Sequence, residues 1–155
     1  MTLTERTTKN IMGTLMLFFL FGCSADTPGN IGLDNGRLAP CPDRPNCVSS
    51  DAEDEEHRVE PFHVAGDQSA AWTALKDAVA ALPRTTIVTS DDSYLHAVAR
   101  SRLFGFVDDL EFHLRADDNL IALRSAARTG YSDFGVNAER IETLRARLQA
   151  DDLLR

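Results

Sequence analysis

The stretch Phe106-Val107-Asp108-Asp109-Leu110-Glu111-Phe112-His113-Leu114 decides the fold, together with the turn Ala116-Asp117-Asp118-Asn119 and the run Leu120 to Ser125 that follows it. Successive side chains along a strand point to opposite faces. Phe106, Asp108, Leu110, Phe112 and Leu114 therefore share one face, and Val107, Asp109, Glu111 and His113 share the other. The first face is apolar apart from Asp108, and the second carries the charge. Two such runs joined by a short polar turn predict an antiparallel hairpin. Upstream, Tyr94 to Ser101 alternates well enough for a strand, with Phe104-Gly105 as the bend that follows it. Asp91-Asp92-Ser93 is a turn, and Thr85 to Thr89 is a β-branched strand.

Helices flank these strands. Trp72, Leu75, Val79 and Leu82 recur at three- and four-residue steps and predict an amphipathic helix over 67–82, capped by Asp67 and stopped by Pro83. Gly130 to Val136 reads as a loop. Asn137 is placed to cap a second helix, with Val136 and Ile141 as a hydrophobic staple and Ile141, Leu144 and Leu148 as its core stripe. The expected class is α+β: an antiparallel sheet of three to four strands with two helices packed on one face. No internal repeat is visible. A single domain over 41–150 is long enough to bury one core.

The amino terminus reads as an address. A polar start carrying Arg6 and Lys9 precedes an apolar run from Ile11 to Phe21, interrupted only by Gly13 and Thr14. Eleven residues are too few to span a bilayer, which takes about 20. A basic start, a short apolar run and small residues at its end are the pattern of a secretory signal, here 1–22. Leu20-Phe21-Gly22-Cys23 resembles the lipobox of bacterial lipoproteins. That resemblance implies cleavage after Gly22 and acylation of Cys23, so that the membrane becomes a partner through the acyl chains. Each buried methylene contributes about 0.8 kcal/mol, and two chains anchor stably where one does not. Ser24 after the cysteine favours the outer over the inner membrane, with the domain facing the periplasm. Residues 23–40, with Pro28, Gly29, Gly32, Asn35, Gly36 and Pro40 and no apolar periodicity, read as a flexible tether.

Outside the cytoplasm, Cys41 and Cys47 are most simply a disulfide. Loop-closure entropy for so short a ring is worth about 2.4 kcal/mol. C-x5-C is not a zinc spacing, no second Cys/His pair follows it, and no metal or other cofactor is implied. A nucleophilic Cys47 would need one of His57, His63, His96 or His113 as its base, and nothing local points one at it. The acidic run Asp51 to Glu56 reads as a solvated loop, without the spacing or glycine of a calcium loop.

The chain has 155 residues, 43% hydrophobic and 26% charged, with a net charge of −8. This is a globular composition, and its sign is wrong for a duplex-binding protein, so no nucleic acid is expected among the partners.

Three motifs carry a family resemblance. Cys41-Pro42-Asp43-Arg44-Pro45-Asn46-Cys47-Val48-Ser49-Ser50, Phe106-Val107-Asp108-Asp109-Leu110-Glu111-Phe112, and Arg124 to Asn137 with Arg140 and Ile141-Glu142 behind it resemble, in order, the conserved segments of the domain of unknown function 1499 family. Ala127 and Ala138 depart from its usual Ser and Arg. The resemblance implies an envelope-associated or organellar protein of the family's common fold and supplies no activity.

The motifs concentrate Asp108, Asp109, Glu111, Arg124, Arg128, Ser132, Asp133 and Asn137, expected to converge at one end of the sheet. Three readings compete. The first is a cohesive network, in which Arg124 or Arg128 forks onto Asp108 or Asp133, since an unpaired buried charge is very costly. The second is a binding site for an anionic small ligand or an envelope protein, with the arginines near a helix N-terminus. The third is a small hydrolase-like enzyme using Asp108 or Asp109. Against it, consecutive acids face opposite ways, and no nucleophile elbow, H-E-x-x-H or P-loop is present. Asp108, Asp109, Glu111 and Asp133 could hold a hard cation, but two arginines beside them oppose it. No residue is assigned a catalytic role. The reading is a lipid-anchored envelope domain with a non-catalytic binding or structural role.

Overall fold

A computed structural model describes residues 27–155; the stretch read as a signal, 1–22, and Cys23 lie outside them. The elements run β1 (Leu33–Asp34), β2 (Arg37–Leu38), β3 (Cys47–Ser49), β4 (Phe62–His63), α1 (Gln68–Ala80), β5 (Thr85–Ser90), β6 (Tyr94–Arg100), β7 (Val107–Arg115), β8 (Leu120–Ala127) and α2 (Val136–Ala150). The sheet is larger than expected. Six antiparallel strands replace the three to four inferred, in the order β3-β8-β7-β6-β5 with β4 also on β8. A separate two-stranded sheet, β1–β2, precedes them. The additional strands β3 and β4 hold two or three residues each. Pairing with β8 makes them strands, not local propensity, which is why alternation did not reveal them.

The helices α1 and α2 pack on one face of the large sheet. Leu95 and Ala97 of β6, Leu110 and Phe112 of β7, and Ile121 and Leu123 of β8 meet Trp72, Leu75 and Val79 of α1 and Ile141, Leu144 and Leu148 of α2 in one core. Asp67 caps α1, its carboxylate accepting from the Ser69 and Ala70 amides at 2.8 and 3.3 Å. The second helix begins differently from expectation. Gly135, at φ +82°, is the residue before it, and Asn137 lies inside the first turn with a buried side chain. Asp133 does the capping: its carboxylate accepts from the Gly135 amide at 3.0 Å and the Asn137 amide at 2.8 Å. Val136 is half-exposed, so the anticipated staple with Ile141 is not what orients the helix.

The other face of the sheet is also covered. Within the stretch read as a tether, Leu33-Asp34 and Arg37-Leu38 form a hairpin around Asn35 and Gly36, whose φ values of +50° and +76° are those of a type I′ turn. Leu38 is buried against Tyr94 and Ala122. Asp51 fastens the hairpin, accepting from the Leu38 amide at 2.9 Å and from Arg115 at 2.5 Å. Burial pushes the Asp51 carboxyl up, but Arg115 and the Leu38 amide outweigh it and hold it below the ordinary carboxylate range. Asp51 is thus a structural tie, while Glu53 to Glu56 remain exposed as a solvated loop should be.

Candidate functional site: a buried ionic seam on both faces of the sheet

Strand register dictates which charges can meet. On β7, Asp109 and Glu111 point away from the helices, toward the face covered by the amino-terminal segment. Glu111 lies directly across from Arg124 on β8 and from His96 on β6. Both acids, taken from the sequence for the polar side, are essentially sealed from water, with Asp109 1% and Glu111 0% exposed. They are sealed because the chain between Pro28 and Leu38 crosses above them. An ionised carboxylate so placed needs several donors.

Each acid has them. Glu111 accepts from Arg124 Nη1 at 2.9 Å, from the Tyr94 hydroxyl at 2.7 Å and from the Gly32 amide at 2.8 Å. Burial and the adjacent Glu111 push the Tyr94 hydroxyl far above its ordinary pKa, so it stays a neutral donor. Asp109 takes a two-point fork from Arg128, Nε and Nη2 each at 2.9 Å, and lies 2.8 Å from His96 Nε2. Desolvation acts to raise the Asp109 carboxyl. The hydrogen bonds from His96 and Arg128 more than offset it and hold the group below the usual carboxylate range.

Asp108 points the other way, toward the helices. It bonds Arg140 of α2 at 2.8 Å. Here desolvation wins over the Arg140 attraction, and the Asp108 carboxyl is raised. Arg140 also reaches Asn137 Oδ1 at 2.8 Å, which accepts the Ser125 hydroxyl at 2.5 Å, while Asn137 Nδ2 donates to Asp133 at 2.7 Å.

The single cluster expected from the motifs is therefore two networks, separated by the thickness of the sheet. Asp109, Glu111, Arg124 and Arg128 lie under the amino-terminal segment. Asp108, Asp133 and Asn137 lie at the start of α2. Neither Arg124 nor Arg128 pairs with Asp108 or Asp133; Arg140 takes Asp108. Ser132 belongs to neither network: it is exposed and accepts from the Phe134 amide. His96, Tyr94, Arg140 and Ser125 were missed as members. For His96 and Tyr94 the available signal was strand register, since both fall on the charged face of β6 once β6 and β7 are aligned.

The first motif is tied to the third. Cys41 and Cys47 are disulfide-bonded. The loop between them sets Asn46 to donate from Nδ2 to the Gly130 carbonyl at 2.8 Å, and the Asn46 carbonyl accepts the Ala127 amide at 2.9 Å. Beside it lies a cavity of about 150 Å³ lined by Pro28, Arg44, Asp109, Arg124 and Arg128. Arg124 Nε has no partner among the described residues. No group of three or more His, Cys, Asp or Glu side chains among the described residues is arranged to hold a metal ion, and no helix among them is long and apolar enough to cross a membrane.

Ion pairs and Asn hydrogen bonds thus knit the three motif segments together. Residues 37–148 match the family described as protein of unknown function (DUF1499). The chain belongs to that family. No curated protein and no solved structure matches it.

Proposed function

We propose that this is a lipid-anchored domain of the cell envelope, facing the periplasm, with a non-catalytic binding or structural role. One observation carries the non-catalytic part: the four acids of the motif cluster, Asp108, Asp109, Glu111 and Asp133, are committed to internal donors. Asp108 is held by Arg140, Asp109 by His96 and Arg128, Glu111 by three donors, and Asp133 by the first turn of α2. General acid–base work needs a carboxyl that can exchange its proton with a substrate. These carboxyls instead hold loops and strands together. The anchor part rests on Leu20-Phe21-Gly22-Cys23 at the end of the apolar run, and the outer membrane is favoured by Ser24. Expression of the full chain and its Cys23→Ser form, followed by membrane fractionation, tests it. The substituted protein is expected in the soluble fraction, and its retention on membranes would refute the acyl anchor.

A second reading has its own support. The cavity beside Arg44, Arg124 and Arg128, with a buried Arg124 Nε that lacks a described partner, suits a small anion such as phosphate or carboxylate. Inorganic phosphate at low ionic strength would raise the melting temperature of the wild type and not of Arg44→Glu. Equal melting with and without phosphate would remove this reading.

A further inference from the structure

The two ends of the sheet differ sharply. The β6–β7 loop carries Leu103, Phe104 and Phe106 into solvent, and the β8–α2 loop adds Tyr131 and Phe134. Phe134 is 96% exposed and sits at φ +56°, a conformation that costs a non-glycine residue free energy. Leu103, Phe104, Phe106, Phe134 and Val136 line one apolar groove of about 330 Å³. Soluble monomers rarely expose so many large apolar side chains together. Arg84, Arg100 and Arg102 are exposed at the same end. At the opposite end of the same strands lie Asp91, Asp92, Asp117 and Asp118, all exposed, beside the first residues of α1 and the last of α2. Three exposed arginines and the exposed aromatic residues thus share one pole, with Asp108, Asp133 and Glu139 among them, and four exposed aspartates crowd the turns at the other.

The amino-terminal segment arrives at the arginine pole. Pro28 lines the cavity with Ala127 and Arg128, and Ala127 and Asp108 also line the apolar groove. Pro28 is five positions along the chain from Cys23, a reach of at most roughly 17 Å even when fully extended.

We infer that the loops 101–106 and 130–136 form a membrane-seating surface, which inserts its aromatic and leucine side chains into the bilayer that holds the anchor and sets Arg100 and Arg102 against anionic lipid headgroups. This rests on the anchored reading and adds an orientation to it. Three observations select a bilayer as occupant: the chain outside the described residues leaves from this pole, Arg102 lines the apolar groove with Arg84 and Arg100 in the pocket beside it, and the two aspartates on the groove wall are tied inward, Asp108 to Arg140 and Asp133 to Asn137, while Asp91, Asp92, Asp117 and Asp118 lie at the far end. Aromatic side chains favour the membrane–water interface. Each arginine near an anionic leaflet strengthens attachment about fivefold.

The test uses the full acylated chain carrying Phe134→Trp, reconstituted into phosphatidylethanolamine–phosphatidylglycerol vesicles that contain brominated lipid. Trp72, the sole native tryptophan, bonds the Asp91 carbonyl at the far pole and serves as an internal control. The added tryptophan is expected to shift to the blue and to be quenched, while the unsubstituted protein is not quenched. Combining Phe134→Trp with Arg100→Glu and Arg102→Glu is expected to reduce the quenched fraction in anionic vesicles and not in neutral phosphatidylcholine ones. Protein that floats with the vesicles but keeps an unquenched Trp at 134 overturns the seating surface and leaves the anchor standing. Protein that neither floats nor quenches overturns both. A blue shift that appears without lipid and grows with protein concentration assigns the groove to a second copy of the chain and also overturns the proposal.

Discussion

Glu111→Gln probes the seam at its most sealed point. The substitution keeps shape and removes charge. Arg124, 3% exposed and paired to Glu111 at 2.9 Å, then loses its counter-ion inside the sheet's covered face. The Gln amide cannot replace it. With three donors converging on the carboxylate from Arg124, Tyr94 and Gly32, either orientation of the amide sets its own N–H group against one of them. Removing one partner of a buried pair destabilises by about 3–5 kcal/mol. For a domain of this size that corresponds to a melting temperature lower by roughly 12–20 °C. Arg124→Met alone should lose a comparable amount. The double variant should lose less than the two singles together, because neither charge is then stranded, and a coupling of about 1–3 kcal/mol is expected. Thermal and urea melts of the four proteins measure this cycle. A Glu111→Gln protein melting within about 3 °C of the wild type, or strictly additive losses, would refute the claim that these charges are held for cohesion.

Other outcomes follow from the same geometry. Asp109 and Asp108 should behave oppositely with pH. The Asp109 carboxyl is lowered in the fold, so its contribution is complete above the ordinary value of about 3.9 and is lost as pH falls through its lower folded value. The Asp108 carboxyl is raised, so its contribution weakens as pH rises from the ordinary value through the folded one. Asp109→Asn should therefore flatten the acid limb of a stability–pH curve and Asp108→Asn should steepen it, as read by urea melts between pH 2 and 6. Replacing Cys41 and Cys47 together by Ala should cost about 2 kcal/mol through loop entropy. It should also loosen Asn46 from Gly130, seen as faster amide exchange at Ala127, whose N–H donates to the Asn46 carbonyl. Unchanged exchange there would separate the disulfide from the placement of that loop.

The core was legible where periodicity was strong. Alternation over 106–114 and the three- and four-residue steps from Trp72 to Leu82 mark elements that bury one face each, and burial of that face is what the pattern encodes. What failed to register was structure made by pairing. The strands β3 and β4 exist because β8 offers an edge, which two or three residues cannot announce. Asn35-Gly36 was a readable hairpin signal that passed as loop because the flanking strands are only two residues long. The site was half legible. The acids and arginines named from the motifs lie buried or half-buried in ion pairs or hydrogen bonds, as charges off the surface must. Their partners were misassigned because β7 sends Asp108 and Asp109 to opposite faces and the sequence does not say that both faces are covered. Asp109 and Glu111 read as solvent-facing until the segment from Pro28 to Leu38 is laid over them. The loops at the apolar pole gave no periodic signal at all, and only their exposure together in three dimensions makes them a surface.

The proposed compartment and the proposed orientation both rest on acylation at Cys23. Intact-mass spectrometry of the protein extracted from membranes with detergent tests that premise most directly. The expected species begins at Cys23, lacks residues 1–22, and carries the added mass of at least two fatty acyl chains. A chain that retains Met1 and bears no lipid would contradict it.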